Sequence, residues 1–219
     1  EPVECPTMLE TGFGEHNIQG IGDKHIPLIH NVMNTDVVTA VTDRATDQLG
    51  VMFSEPAGRA WLAERRGVPP GIVSALEDFG LSSICNILAA VKTAKCLGLG
   101  PDDVVITIAT DGAAMYGSER VRAMERDFGG RFDTAAAAAT FERWMLGADT
   151  SQTRVTNEDE RRRIFNLGYF TWVEQRGVSL EAFVERREQT FWKGLREHLP
   201  AWNALIEEFN RRTGARESY

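Results

Sequence analysis

The sequence is poor in lysine and cysteine, and it has no long apolar run. Among its 219 residues are three cysteines, Cys5, Cys85 and Cys96. An odd number without metal-ligand spacing argues for reduced, buried thiols in a cytoplasmic setting. No apolar stretch approaches the length of a membrane span, and no basic-then-apolar leader stands at Glu1, so a membrane is not an expected partner. Neither the GxGxxG fingerprint nor the P-loop spacing occurs, and there are no internal repeats. His16, His25 and His30 have no Cys or carboxylate at a recognisable ligand spacing, so no metal is expected. Lysines number four. Lys92, Lys95 and Lys193 fall in expected helices, the first two at solvent-side positions, and Lys24 falls in a loop. None of the three helical lysines has an evident nucleophilic setting.

What is present reads as a globular protein, with 42% hydrophobic and 26% charged residues, long enough to bury a proper core. The net charge of −8 is unevenly placed. Residues 1–118 carry 7 Lys/Arg against 15 Asp/Glu, and residues 119–219 carry 17 of each. The acidic first part speaks against nucleic acid as a partner. The balanced second part, rich in Arg and Trp, reads as salt-bridged helices that pack on something.

In chain order, residues 1–34 form a long loop punctuated by Gly12, Gly14, Gly20 and Gly22, and a loop of that length is usually functional or disordered. Val37–Thr42 is β-branched and reads as a buried strand. Asp43 caps a brief helix to Leu49, a second helix runs from Ala57 to Arg66 and stops at Gly67, and Pro69-Pro70 opens a third. The stretch from Phe79 to Ala94 organises this part. Ile84, Ile87, Leu88 and Val91 share one helical face, Ser82 or Ser83 stands where an N-cap belongs, and Gly98 reads as the C-cap. A helix start led by serines offers oriented donors to a ligand. Asp103–Ala109 is a near-continuous apolar run, as expected of a central parallel strand, and it ends in a small-residue loop, Thr110–Ser118, where ligands bind in open α/β sheets. From Glu119 onward strands give way to helices rich in aromatics, with stripes over 164–173, 180–195 (Arg187 joining by its stem) and 202–209.

These pieces, in order, resemble the second half of a fold-type-II pyridoxal-phosphate enzyme, the cysteine synthase and cystathionine β-synthase group. Glu1-Pro2 resembles the "VEP" that closes a central strand, and Asn17–Pro27 resembles the "IQGIGxxxIP" loop. Val37–Asp43 resembles the strand and turn after it, and Gly80-Leu-Ser-Ser83 the "GISSG" turn that faces the cofactor ring. Val104–Ser118 resembles the last strand with its "PDSGERY" loop, Asp111 and Tyr116 being in register. The glycine that ends "GISSG" is Ile84 here, and helices are inserted between Val37 and Ser82.

The resemblance implies an open, mostly parallel α/β sheet flanked by helices over residues 1–118, followed by a helical extension over 119–219. It implies pyridoxal 5′-phosphate as cofactor, with Ser82, Ser83, Gly20 and Gly22 as cofactor-binding residues, Asp111 and Asp23 on the substrate side, and an amino acid as substrate. The family's Schiff-base lysine and phosphate cup correspond to nothing in this chain. A chain that begins with Glu-Pro then reads as a processed or partial product, completed by an N-terminal half on a separate chain or precursor. The implied activity is β-elimination or β-replacement in a cytoplasmic homo-oligomer, with the aromatic tail covering an interface. The other reading is a non-catalytic subunit of the same descent, acting as scaffold or regulatory partner.

Overall fold

The structure, a computed structural model, describes residues 1–110 and 112–215. It divides into two compact units, residues 1–24 with 36–156, and residues 25–35 with 157–219. This grouping by packing is a different division from the one by motif.

The first unit is built on helices. A single turn, α1 (Thr7–Glu10), precedes the short strand β1 (Val37–Thr39). Then come α2 (Asp43–Ser54), α3 (Pro56–Arg66), α4 (Pro70–Ala75) and α5 (Leu81–Leu97). The unit continues through α6 (Gly117–Phe128), α7 (Thr134–Phe141) and the strand β2 (Thr153–Val155). Helix α2 lies at the centre, packed against α3, α5, α6 and α7. Its Leu49, Val51 and Met52 are buried with Trp61, Leu62, Ile84, Leu88 and Ala137. Close approach is bought with glycine: a Cβ on Gly58 would stand 2.0 Å from the Met52 carbonyl oxygen. Two local rules fix the helix ends. Gly67 and Gly98 take left-handed C-cap conformations at φ 66° and 65°. The start of α2 is capped from a distance, because Glu4 accepts from the Asp43 N–H (3.1 Å) and from Thr42 Oγ1 (2.6 Å).

The expected open, mostly parallel α/β sheet is not what the chain forms. Its described residues hold one sheet of two strands, β1 antiparallel to β2, with Val37 opposite Val155 and Thr39 opposite Thr153. A lone parallel bridge joins Pro2 to Val41. The run expected to be the central strand is extended but unpaired, and Val104, Ile106 and Ile108 are 82, 86 and 66% exposed. A strand apolar on both faces needs neighbours on both sides, and no described segment lies along it. Only its end is tied: Asn86 Nδ2 donates to the Ile108 carbonyl and the Thr110 N–H to Ser83 Oγ, each at 2.9 Å. The helix begun by Asp43 runs on to Ser54 instead of ending at Leu49, and β2 interrupts the expected all-helical tail.

The second unit packs residues 25–35 on α8 (Glu158–Leu167), which opens with a full capping box between Asn157 and Glu160. Arg161 Nε donates to the Thr35 carbonyl at 2.9 Å, and Trp172 Nε1 to the Ile26 carbonyl at 2.7 Å. After a π-helical segment, Phe170–Gln175, follow α9 (Leu180–Glu185), α10 (Gln189–Leu195) and α11 (Leu199–Thr213). Its core is aromatic, with the rings of Phe165 and Phe183 4.6 Å apart. Arg186, not Arg187, is the arginine fully taken inside. Its guanidinium lies 5.4–5.9 Å from the rings of Phe165, Phe183 and Trp192. Where the helix breaks, the Arg186 carbonyl accepts from Trp192 Nε1 at 2.8 Å.

Candidate functional site

The start of α5 is where sequence and structure meet most closely. Gly80, in extended conformation, is the N-cap and makes no side-chain cap, so Ser82 and Ser83 sit two and three residues past the cap, inside the first turn. Both are buried, 1 and 2% exposed, because Leu81 and Ile84 on the same turn reach the Gly50 stretch of α2. Released from capping, the two hydroxyls turn to Thr110. Ser82 Oγ pairs with Thr110 Oγ1 in a short hydrogen bond, and Ser83 Oγ lies 3.4 Å from that hydroxyl while accepting from the Thr110 N–H. Thr110 is the residue that sequence reasoning missed. Its signal was its place as the first residue of the small-residue loop that follows the apolar run.

Beside these hydroxyls lies a cavity of about 260 Å³, walled by Ala75, Phe79, Ala109, Gly112, Ser83 and Thr110, with Asp78 as its one ionisable group among the described residues. A bridge from Phe79 to Gly112 holds its two sides together. The cavity offers apolar walls and neutral hydroxyls, which suits a planar, weakly polar group.

The glycine loop is ordered elsewhere. Asn17 anchors it: its N–H donates to Asp43 Oδ2 at 2.5 Å and its Nδ2 to Asp47 Oδ1 at 2.7 Å. Burial raises the carboxyl pKa of both Asp43 and Asp47, against the Asn17 bonds and, for Asp47, against Arg126 at 2.9 Å. Gly20 and Gly22 both have positive φ, 81° and 87°. Gly22 is doubly required, since a Cβ there would meet Pro2 at 2.5 Å. Asp23 is exposed. None of Gly20, Gly22 and Asp23 lines the cavity at Ser83, so only Ser82 and Ser83 of the expected set are brought together. Asp111 lies outside the described residues.

Lys92 departs from its expected solvent-side position. Its side chain is 12% exposed, with Nζ donating to the Ser151 carbonyl at 2.6 Å and Asp149 at 4.0 Å. It lines a second cavity of about 220 Å³ with Val41, Leu88, Arg143 and Trp144, and burial lowers its pKa. Lys95 likewise donates to the Leu146 and Ala148 carbonyls, so the two amines fasten the 146–151 loop. Among the described residues no three His, Cys, Asp or Glu side chains converge as a metal site, and no helix is long and apolar enough to cross a membrane.

Comparison with protein-family models, with curated proteins and with solved structures finds no match for this chain.

Proposed function

We propose that the chain forms one wall of a pyridoxal-phosphate site for β-elimination or β-replacement on an amino acid, in a cytoplasmic, self-associating protein. The Schiff-base lysine and the phosphate cup come, on this reading, from another segment or polypeptide. The observation that carries it is the buried hydroxyl pair of Ser82 and Ser83 on Thr110, beside a cavity of about 260 Å³.

These residues fit the ring end of the cofactor. When bound, the cofactor supplies an electron sink for charge developing at the amino acid's α-carbon. A neutral hydroxyl at the ring nitrogen positions the ring without holding that nitrogen protonated, which tempers the sink and suits loss of a β-substituent over longer-lived carbanion chemistry. The resemblance gives that role to Ser82, whose buried hydroxyl is bonded to Thr110, while Ser83 and Thr110 line the cavity itself and Phe79 and Ala109 cover the ring's edge. The positive-φ backbone of Gly20, with nothing against its Cβ position, gives the anchored loop an open surface for an amino-acid ligand, and Gly22 shapes that loop while packed on Pro2. The phosphate end finds no match, since among the described residues no Lys or Arg lines the cavity.

That mismatch favours a second reading, a non-catalytic scaffold. Lys92 and Lys95 are engaged with loop carbonyls, and Lys24 lies 5.8 Å from the Phe13 ring. The test is a titration of the full chain with pyridoxine, which has the ring but neither the aldehyde nor the phosphate and so reports the ring contacts that this chain itself supplies, without reacting with surface lysines. Saturable binding is expected, weakened about tenfold in Ser82→Ala by loss of one buried hydrogen bond. No saturable binding, or equal affinity in Ser82→Ala and the parent, sinks the cofactor reading and leaves the scaffold.

A further inference from the structure

Helix α11 is the longest element of the second unit, and none of its 15 residues is buried. Leu199, Trp202, Leu205, Ile206 and Phe209 recur at helical spacing and are 46–67% exposed. An apolar stripe of this kind belongs against something. A helix of this length is also marginal in water without tertiary packing, so the stripe needs a cover for the helix itself to persist.

We propose that the cover is α11 of a second copy of this chain, packed antiparallel about a two-fold axis between Leu205 and Ile206. Three features select that occupant. The stripe is self-complementary in this register: Trp202 of one copy meets Phe209 of the other, and the two central aliphatics meet each other. The charges are balanced within the helix. Arg211 and Arg212 both bind Glu208, at 2.7 and 2.6 Å, and with Glu207 the four charges cancel. An acidic or basic partner therefore finds no unmatched charge, whereas two copies meet without repulsion and with their helix dipoles opposed. The area is sufficient: five such side chains and their copies bury on the order of 1,000 Å², the lower bound for a specific interface. An interface at that lower bound is expected to be weak and reversible. The proposal is independent of the cofactor reading, which concerns the other unit.

Sedimentation equilibrium of the full chain across the micromolar range tests it. The parent protein is expected to pass from monomer to dimer, and Leu205→Glu to weaken the dimer at least tenfold. Ala204→Glu, on the opposite side of the helix, is the control and should dimerise as the parent does. Circular dichroism and a melt of each variant at low concentration separate lost association from lost folding. A parent that stays monomeric overturns the proposal, as does a dimer that Leu205→Glu and Ala204→Glu affect equally. Binding of the monomer to zwitterionic phosphatidylcholine vesicles through Leu205 would overturn it too, because the stripe would then be a membrane face.

Discussion

Helix α2 and the run Val104–Ala109 belong to the same unit and have opposite fates. The run holds no charge, and every residue in it is apolar or threonine, yet it lies in solvent. Helix α2 begins Asp-Arg-Ala-Thr-Asp-Gln and is nonetheless buried from Ala45 to Phe53. The difference lies in the partners. Helix α2 satisfies its backbone internally and needs only side chains around it, which α3, α5, α6 and α7 supply. The run needs hydrogen-bonding neighbours along its length, and the described residues give it ties only at its end. Burial is therefore set by what a segment can pair with, and apolar composition alone does not secure it.

The sharpest way to break this comparison is to truncate a side chain in each segment. Leu49→Ala is expected to cost about 3–4 kcal/mol, because Leu49 is fully buried in the helix that α3, α5, α6 and α7 pack against. Gly58→Ala should cost at least ~2 kcal/mol, since its new methyl would collide with backbone that cannot rotate away. Ile106→Ser should stay within about 0.5 kcal/mol of the parent, the usual range for an exposed position. Urea unfolding of the three variants reads this directly. A loss above ~2 kcal/mol in Ile106→Ser would mean that the run is covered in solution.

Helix α5 touches both segments, and its cysteines report on the gradient between them. Cys85 lies in the buried first half, 1% exposed, and burial pushes its thiol up to about 11. Cys96 lies in the last turn and is partly exposed. At pH 8 a thiol-exchange reagent should modify Cys96 first, with Cys85 slower by at least ~100-fold and reached only on unfolding. Comparable rates would show that the first half of α5 opens readily.

What was legible in the sequence was local. The ends of α3, α5 and α11 follow from Gly67, Gly98 and Gly214, each a left-handed cap set by its own φ. The pairing of Val104–Ala109 was not legible, because a strand's neighbours are non-local and an apolar run reads the same with or without them. Strand β2, three residues with no alternation to mark them, gave no signal. At the candidate site, Ser82 and Ser83 stood out by composition and lead into α5, but their depth depended on Leu81 and Ile84 reaching α2, and their partner Thr110 is 27 residues away. The burial of Lys92 escaped for the same reason: the 146–151 loop covers a face of α5 that its own pattern marks as outward.

The smallest expected effect is the polar counterpart of the same comparison, in the second unit. His30 comes from a Gly- and Pro-punctuated loop, yet it is half-buried, with Nε2 3.0 Å from Thr35 Oγ1. Burial first, and the nearby Arg186 charge second, lower its pKa below the ordinary 6.5. Below pH 6.5 the unfolded chain therefore takes up a proton on His30 that the folded unit resists. Protons then favour the unfolded state, so the contribution is complete above pH 6.5 and is lost as the pH falls toward the folded-state value. Thermal melts of the parent across pH 5–7 should show this decline. His30→Gln keeps a hydrogen-bonding group near Thr35 but does not titrate. It should flatten the slope in that window while changing stability little at pH 7.5. An unchanged slope in His30→Gln would show that the decline comes from other groups and that the loop does not hold His30 in place.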